Sequence, residues 1–273
     1  MPIIDAHVHL FANFAPMEPF ADIGRLDRLL YLMDQCEVEK AVVLSVEEYS
    51  ATNNQDCAQW GRAHPDRLAV LVDVPLHEST AAEQVLRARE EFGAVGTSYY
   101  APNPNESLQW LLEEPCEPLW QAYQDTGLAC NLQLFPVNYG PLVELAWRYP
   151  QIDFVANHLG LPALPGGPDP DDETYGGLLQ GADCANLAVK ASGFYAAAAN
   201  QWDFRCPQAR RYFRRLLEGL GPDRLLWGSD WMPVGRFLTY RQSLETLRIF
   251  TADLDPVEQT KILGGNAARV YGI

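Results

Sequence analysis

Two hydrophobic patterns alternate along the chain. Short β-branched runs, apolar on both faces, occupy Ile3–Val8, Lys40–Val46, Leu68–Val74, Ala94–Tyr99, Leu128–Phe135, Ile152–Asn157, Asn186–Ser192 and Leu225–Ser229. Between them, apolar residues recur at helical spacing: Leu26, Leu29, Leu30 and Met33; Ala81, Val85, Ala88 and Phe92; Leu142, Leu145, Ala146 and Tyr149; Phe213, Leu216, Leu217 and Leu220. Strands apolar on both faces belong in a parallel sheet covered by helices. Eight of them alternating with helices predict an α/β fold, a (β/α)8 TIM barrel rather than an open doubly wound sheet. Pro and Gly close several helices, as at His64-Pro65, Tyr149-Pro150 and Leu220-Gly221-Pro222. No Gly-x-Gly-x-x-Gly follows the first run and no Walker A sequence occurs, which disfavours a dinucleotide- or NTP-binding domain. The Gly/Pro-rich stretch 160–170 reads as a long loop, because the alternation resumes after it.

Length supports the barrel: 273 residues match the ~250 typical of one such domain, so residues 1–273 are read as a single domain. With 48% hydrophobic residues the chain can build a full core. Twenty Lys+Arg against 36 Asp+Glu leave a net charge of −16. That balance argues against nucleic acid and against an anionic membrane surface as partners. Apolar runs such as Ala41 to Leu44 fall far short of the ~20 residues a membrane span needs. The start, Met1-Pro2-Ile3-Ile4-Asp5, shows no secretory pattern. Six dispersed cysteines without a Cys-x-x-Cys pair suit a reducing, cytoplasmic setting. The expected partner is a small-molecule substrate, and a homo-oligomer is left open.

Barrel chemistry sits at the C-terminal ends of the strands. The first run ends Asp5-Ala6-His7-Val8-His9, and strict alternation would put Asp5, His7 and His9 on one face. Imidazoles spaced this way can converge on one ion or one substrate group. The sixth run leads into His158, and the eighth into Asp230 between Gly228-Ser229 and Trp231. Taken singly, each has a plain structural explanation: buried histidines, a loop hydrogen bond, a helix cap. Four such residues at one end of one barrel point to chemistry.

At these residues the chain resembles the amidohydrolase superfamily, in its amidohydrolase-2 branch of small TIM-barrel enzymes. The resemblance rests on Ile4-Asp5-Ala6-His7-Val8-His9, Asn157-His158-Leu159-Gly160, Val189-Lys190-Ala191-Ser192-Gly193, Trp227-Gly228-Ser229-Asp230-Trp231 and the ending from Ile262 to Tyr271. It implies that Asp230 is the general base on a hydrolytic water and then the proton donor to the leaving oxygen. It also implies that His7, His9, His158 and Asp230 hold one divalent ion, zinc or manganese, or that the histidines polarise the carbonyl directly, since metal-free lactonases also occur in the branch. The run Ala94-Val95-Gly96-Thr97-Ser98-Tyr99 has no Lys to bridge two metals, and Asn131-Leu132-Gln133-Leu134-Phe135 has no His, so a binuclear centre is not expected.

Lys190 shares a face with Ala188 and Ser192 and needs an anionic partner if buried. An ion pair with Asp5 is the favoured expectation, a substrate carboxylate the other. Loop residues Phe11, Phe14, Phe20, Tyr99, Tyr100, Phe194, Tyr195, Trp202, Phe204, Trp231 and Met232 either seal the barrel top or shape a pocket for a ring-shaped substrate. Tyr99, Lys190, Arg205 and Arg236 are the candidate substrate-binding residues. His64 belongs to the opposite end and His77 to a helix start. The leading reading is a hydrolase that opens a cyclic ester. The runner-up is a metal-dependent decarboxylase of a carboxylated aromatic or unsaturated acid. A non-catalytic ligand-binding barrel is disfavoured by the four residues at the mouth.

Overall fold

The computed structural model describes residues 2–12, 23–101, 103–163, 167, 169–171 and 173–273; Phe14 and Phe20 lie outside them. Eight parallel strands pair in chain order: β1 (Ile3–Val8), β2 (Val38–Leu44), β3 (Leu68–Asp73), β4 (Gly96–Tyr100), β5 (Ala129–Gln133), β6 (Phe154–Ala156), β7 (Leu187–Ala191) and β8 (Leu225–Trp227). A parallel bridge between Val8 and Trp231 joins the last strand to the first, completing the barrel. Each strand falls within or beside the run that predicted it.

The main helices alternate with the strands: α1 (Leu26–Gln35), α2 (Asn53–Ala63), α3 (Ala81–Phe92), α4 (Glu117–Thr126), α5 (Tyr139–Arg148), the short α6 (Gly176–Leu179), α7 (Pro207–Leu220) and α8 (Tyr240–Phe250). Two more close the described chain, α9 (Pro256–Thr260) and α10 (Asn266–Tyr271). The predicted stripes do the packing: Leu29 and Met33, Val85 and Ala88, Leu142 and Leu145, Phe213 and Leu216 are all buried against the barrel's outer face. Each such side chain contributes ~1.5–3 kcal/mol of burial relative to exposure.

A second, smaller core fills the barrel itself. Ile4, Val42, Leu71, Val155, Ala188 and Leu226 point inward, and Ala267, Val270 and Tyr271 of α10 pack among them from below. Tyr271 Oη donates to Asn131 Oδ1 at 2.7 Å, and Lys190 Nζ lies 5.8 Å from its ring centroid. The helix therefore plugs the end opposite the catalytic mouth. All six cysteines are free. No helix among the described residues is long and apolar enough to cross a membrane.

Candidate active site

The mouth is organised by an irregularity in β1. Asp5 lies opposite Ala41 but Val8 lies opposite Val43, so β1 spends one residue more than β2 over that interval. Such a bulge breaks the alternation of side chains. Asp5 therefore does not share a face with His7 and His9, as strict alternation would require. Its Oδ1 accepts the backbone N–H of Ser229 at 2.8 Å and of His7 at 3.1 Å, and its carboxyl neighbours Tyr240 of α8. Asp5 thus ties β1 to the end of β8, and burial pushes its pKa up to about 6.

His7 and His9 converge. Their Nε2 atoms are 3.0 Å apart, and Asp230 Oδ1 lies 3.7 Å from each. His9 Nδ1 donates to the Leu44 carbonyl at 2.9 Å, which leaves the Nε2 lone pair facing His7. Burial holds both imidazoles below their usual pKa, His7 furthest because Lys190 and the other two histidines add like charge. Both rings are therefore neutral near pH 7.

Asp230 follows β8 at φ 60°, a left-handed conformation that costs an L-residue roughly 1–2 kcal/mol. Backbone bonds on either side hold it there: Asp230 N–H to the His7 carbonyl at 2.9 Å, and His9 N–H to the Trp231 carbonyl at 2.5 Å. With Oδ1 turned to the histidines, Oδ2 accepts the Tyr195 hydroxyl at 2.6 Å. Burial raises the Asp230 carboxyl to about 6; His9, Tyr195 and Lys190 pull the other way.

His158 stands beside this group, also at positive φ. Its Nδ1 is 3.0 Å from Ser192 Oγ and 3.9 Å from Asp230 Oδ2, and its ring centroid is 4.4 Å from that of His7. Burial, then Lys190, lowers its pKa to about 3. Two glycines make the crowding possible. A Cβ on Gly193 would sit 2.7 Å from His158 Nδ1, and one on Gly228 would sit 2.7 Å from His7 Cβ.

The remaining sequence candidates separate. Lys190 is fully buried, but no ion pair with Asp5 forms; its Nζ contacts His7 Nδ1 at 3.4 Å. Desolvation drives its pKa well below the usual value, opposed by Asp5 and Asp230. Tyr99 packs in the outer core near His77, whereas its neighbour Tyr100 reaches across to the Ser45 carbonyl at 3.3 Å. Arg205 is exposed, with its backbone N–H on Asp203 Oδ1; Arg236 is exposed beside Tyr195. His64 ends α2 at the opposite end, and His77 is exposed after β3. Sequence reasoning passed over Tyr195 as one loop aromatic among many. It also passed over Asn157, fully buried and acting on His7 through its side chain, although Asn157 precedes the His158 it had marked.

His7, His9 and Asp230 present ligand atoms within 4.8 Å of one another. A tetrahedral ion with ~2.0–2.1 Å bonds sets its ligand atoms about 3.3 Å apart, close to the 3.0 and 3.7 Å found here. The Leu44 carbonyl on His9 Nδ1 supplies the outer hydrogen bond that orients a ligating imidazole. Two neutral imidazoles and a carboxylate therefore fit a divalent ion such as zinc or manganese. His158 falls outside this set, its Nδ1 engaged by Ser192.

Known proteins place this architecture. The L-fucono-1,5-lactonase of Burkholderia ambifaria is 26% identical over 169 residues, covering 60% of this chain and 57% of that protein. The chain thus spans little more than half the length of that curated relative. A probable 2-pyrone-4,6-dicarboxylic acid hydrolase from Acinetobacter baumannii, solved with citric acid, superposes with a TM-score of 0.79 at 20% identity, covering all of both chains. A zinc-bound amidohydrolase from Burkholderia multivorans superposes with a TM-score of 0.75 at 19% identity, again covering all of both chains. At such identities the two structures show the shared fold. The amidohydrolase family profile matches residues 4–273, from the first strand through α10, and the chain is therefore an enzyme of the amidohydrolase family.

Proposed function

We propose that this enzyme opens a lactone by attack of water, with Asp230 as the general base. The observation that carries the reading is the divided role of the Asp230 carboxylate: Oδ1 faces His7 and His9 while Oδ2 is held by the Tyr195 hydroxyl. A buried carboxyl with a pKa of about 6 is ionised at neutral pH yet basic enough to accept a proton from water. As the water oxygen bonds to the lactone carbonyl carbon, its proton passes to Asp230. Cleavage of the ring C–O bond then returns that proton to the departing alkoxide, giving an open-chain hydroxy acid. His158 is neutral; in the tautomer in which Ser192 Oγ donates to Nδ1, its ring proton sits on Nε2, from which it can donate to the carbonyl oxygen. Trp231 and the Tyr195–Phe237 stack, with ring centroids 5.0 Å apart, limit water at the mouth.

His7, His9 and Asp230 would hold a divalent ion, which would supply Lewis-acid polarisation of the carbonyl. Of the lactone classes, a neutral polyhydroxylated ring suits the described mouth best. Lys190 is buried and held below its usual pKa, and Arg205 and Arg236 are exposed. A decarboxylase needs a cationic clamp for the departing carboxylate, and the exposed Arg236 beside Tyr195 is the residue that would have to supply it.

A panel of sugar and aromatic lactones, read by acid release in a pH-indicator assay, tests the reading, with metal content measured on the same preparation before and after chelation. Turnover of a sugar lactone is the expected result. No turnover across the panel, with CO2 released from a carboxylated aromatic, would replace it with the decarboxylase.

A further inference from the structure

One carboxylate at the mouth has no part in the mechanism above. Asp73 ends β3, two residues beyond Leu71, whose side chain belongs to the barrel interior. Alternation along a strand therefore turns Asp73 inward as well. Its Cα pairs with that of Ser98 on β4, and Ser98 pairs with Asn131 on β5. Asp73 thus stands at the rim of the same interior that carries His7 and Lys190.

Its surroundings fix one carboxylate oxygen and spare the other. Asp73 Oδ2 accepts the backbone N–H of Glu47 at 2.8 Å, while its own backbone N–H is taken by Asn54 Oδ1 at 2.7 Å and Ser45 Oγ at 2.9 Å. Among the described residues nothing donates to Oδ1. The side chain is only partly buried, so Oδ1 remains available to a ligand. Beside it, the Ser98 hydroxyl is fully buried and faces the Tyr100 hydroxyl.

Tyr100 links this corner to the catalytic residues. It leaves β4, passes the end of β3 and reaches the Ser45 carbonyl on the far side of Asp73. Ser45 follows Leu44, whose carbonyl orients His9. Asp73 and Asp230 both act electrostatically on the Tyr100 hydroxyl. A ring substrate with its carbonyl at Asp230 and His158 would therefore extend its far side toward Tyr100 and Asp73. The charge there is negative throughout: Glu47 is half-buried beside Asp73, and Glu48 adds to its field.

We propose that Asp73 is a specificity-determining residue: Oδ1 accepts hydrogen bonds from ring hydroxyls of a polyhydroxylated lactone, and its charge rejects lactones bearing a carboxylate on that side. The assignment rests on the lactonase reading and names its substrate selectivity. A site built to receive substrate hydroxyls discriminates strongly against analogues lacking them, because its own polar groups are then left unpaired.

Three δ-lactone probes separate the possibilities: D-glucono-1,5-lactone, δ-valerolactone without hydroxyls, and 2-pyrone-4,6-dicarboxylate. They are compared in the wild type, Asp73→Asn and Asp73→Ala. Asp73→Asn keeps an oxygen for the Glu47 N–H but turns the other acceptor into an amide NH2, removing both the charge and the acceptor that faces the ligand. It is expected to raise KM for the hydroxylated lactone about tenfold with little change in kcat, on the scale of one charge-assisted hydrogen bond. It should leave δ-valerolactone within about twofold and improve the dicarboxylate, while Asp73→Ala loses more on the hydroxylated lactone. An equal loss on both uncharged lactones, or no loss on either, overturns the assignment, since a structural clamp on Glu47 would not distinguish them. A wild type that opens no lactone defeats the functional reading and this assignment with it; a wild type that opens both equally well defeats only the assignment.

Discussion

Tyr195→Phe removes a single hydroxyl from the centre of the proposed site. The ring and its stack on Phe237 survive; what disappears is the 2.6 Å hydrogen bond into Asp230 Oδ2. A hydrogen bond to a charged group is worth roughly 1.5–3 kcal/mol net. Here it favours the ionised carboxylate, pulling down a pKa that burial has raised to about 6. At 1.36 kcal/mol per pKa unit, losing it moves that pKa up by about one to two units. The general base must be ionised to act, so the acid limb of kcat/KM moves to higher pH by the same amount. At the pH where wild type is half-maximal the variant should be about 5- to 50-fold slower, and it should approach the wild-type rate well above that pH. The assay is a pH–rate profile on a hydrolysable lactone, corrected for spontaneous hydrolysis at each pH. A uniform loss with an unmoved acid limb, or no loss at all, would refute the claim that Tyr195 tunes the base.

Asp230→Asn should remove ~10²–10⁴-fold or more of turnover. It should not lower the melting temperature, because burial disfavours the charge that the substitution deletes; wild-type rates would dismiss Asp230 as the base. Gly193→Ala places a methyl 2.7 Å from His158 Nδ1 at a φ of 60°, and the backbone cost alone is roughly 1–2 kcal/mol. The expected outcome is a melting point lower by about 2–8 °C and a loss of kcat larger than that destabilisation explains, whereas a fully active variant would show that the position of His158 does not matter. Lys190→Met deletes the hydrogen-bonding partner of His7 Nδ1. Zinc affinity measured by chelator competition should fall about 10–100-fold, as for other outer partners of ligating histidines, and unchanged affinity would leave Lys190 with no part in orienting His7.

The barrel was readable because parallel strands buried on both faces leave a signal that tertiary context reinforces. Leu68–Val74, for example, differs from the observed strand only at its end. His7, His9, His158 and Asp230 were readable because barrel geometry gathers strand ends at one mouth, and there they lie within a few ångströms of one another. The face of Asp5 was not readable, since a bulge depends on how β1 registers with β2 and leaves no mark on either sequence alone. Tyr99 and Tyr100 differ by one position and take opposite faces, so choosing between them required the register of β4. The partner of Lys190 was set by depth in the barrel: His7 lies nearer than the carboxylate that charge alone would have selected. Tyr195 meets Asp230 only through the fold of a loop distant in sequence.

The plug at the far end of the barrel has a consequence for the order in which the enzyme is made. During synthesis all eight strands emerge before α10 exists. Until Tyr271 docks under Lys190 and onto Asn131, solvent can enter the interior from below and keep the lysine hydrated and charged. Its dehydration, and with it the environment that His7 senses, is completed by a segment translated after all eight strands. Chemistry at the mouth is in this way made conditional on the arrival of a helix at the opposite pole, and a nascent barrel held back from that step would be folded in outline but not yet electrostatically mature.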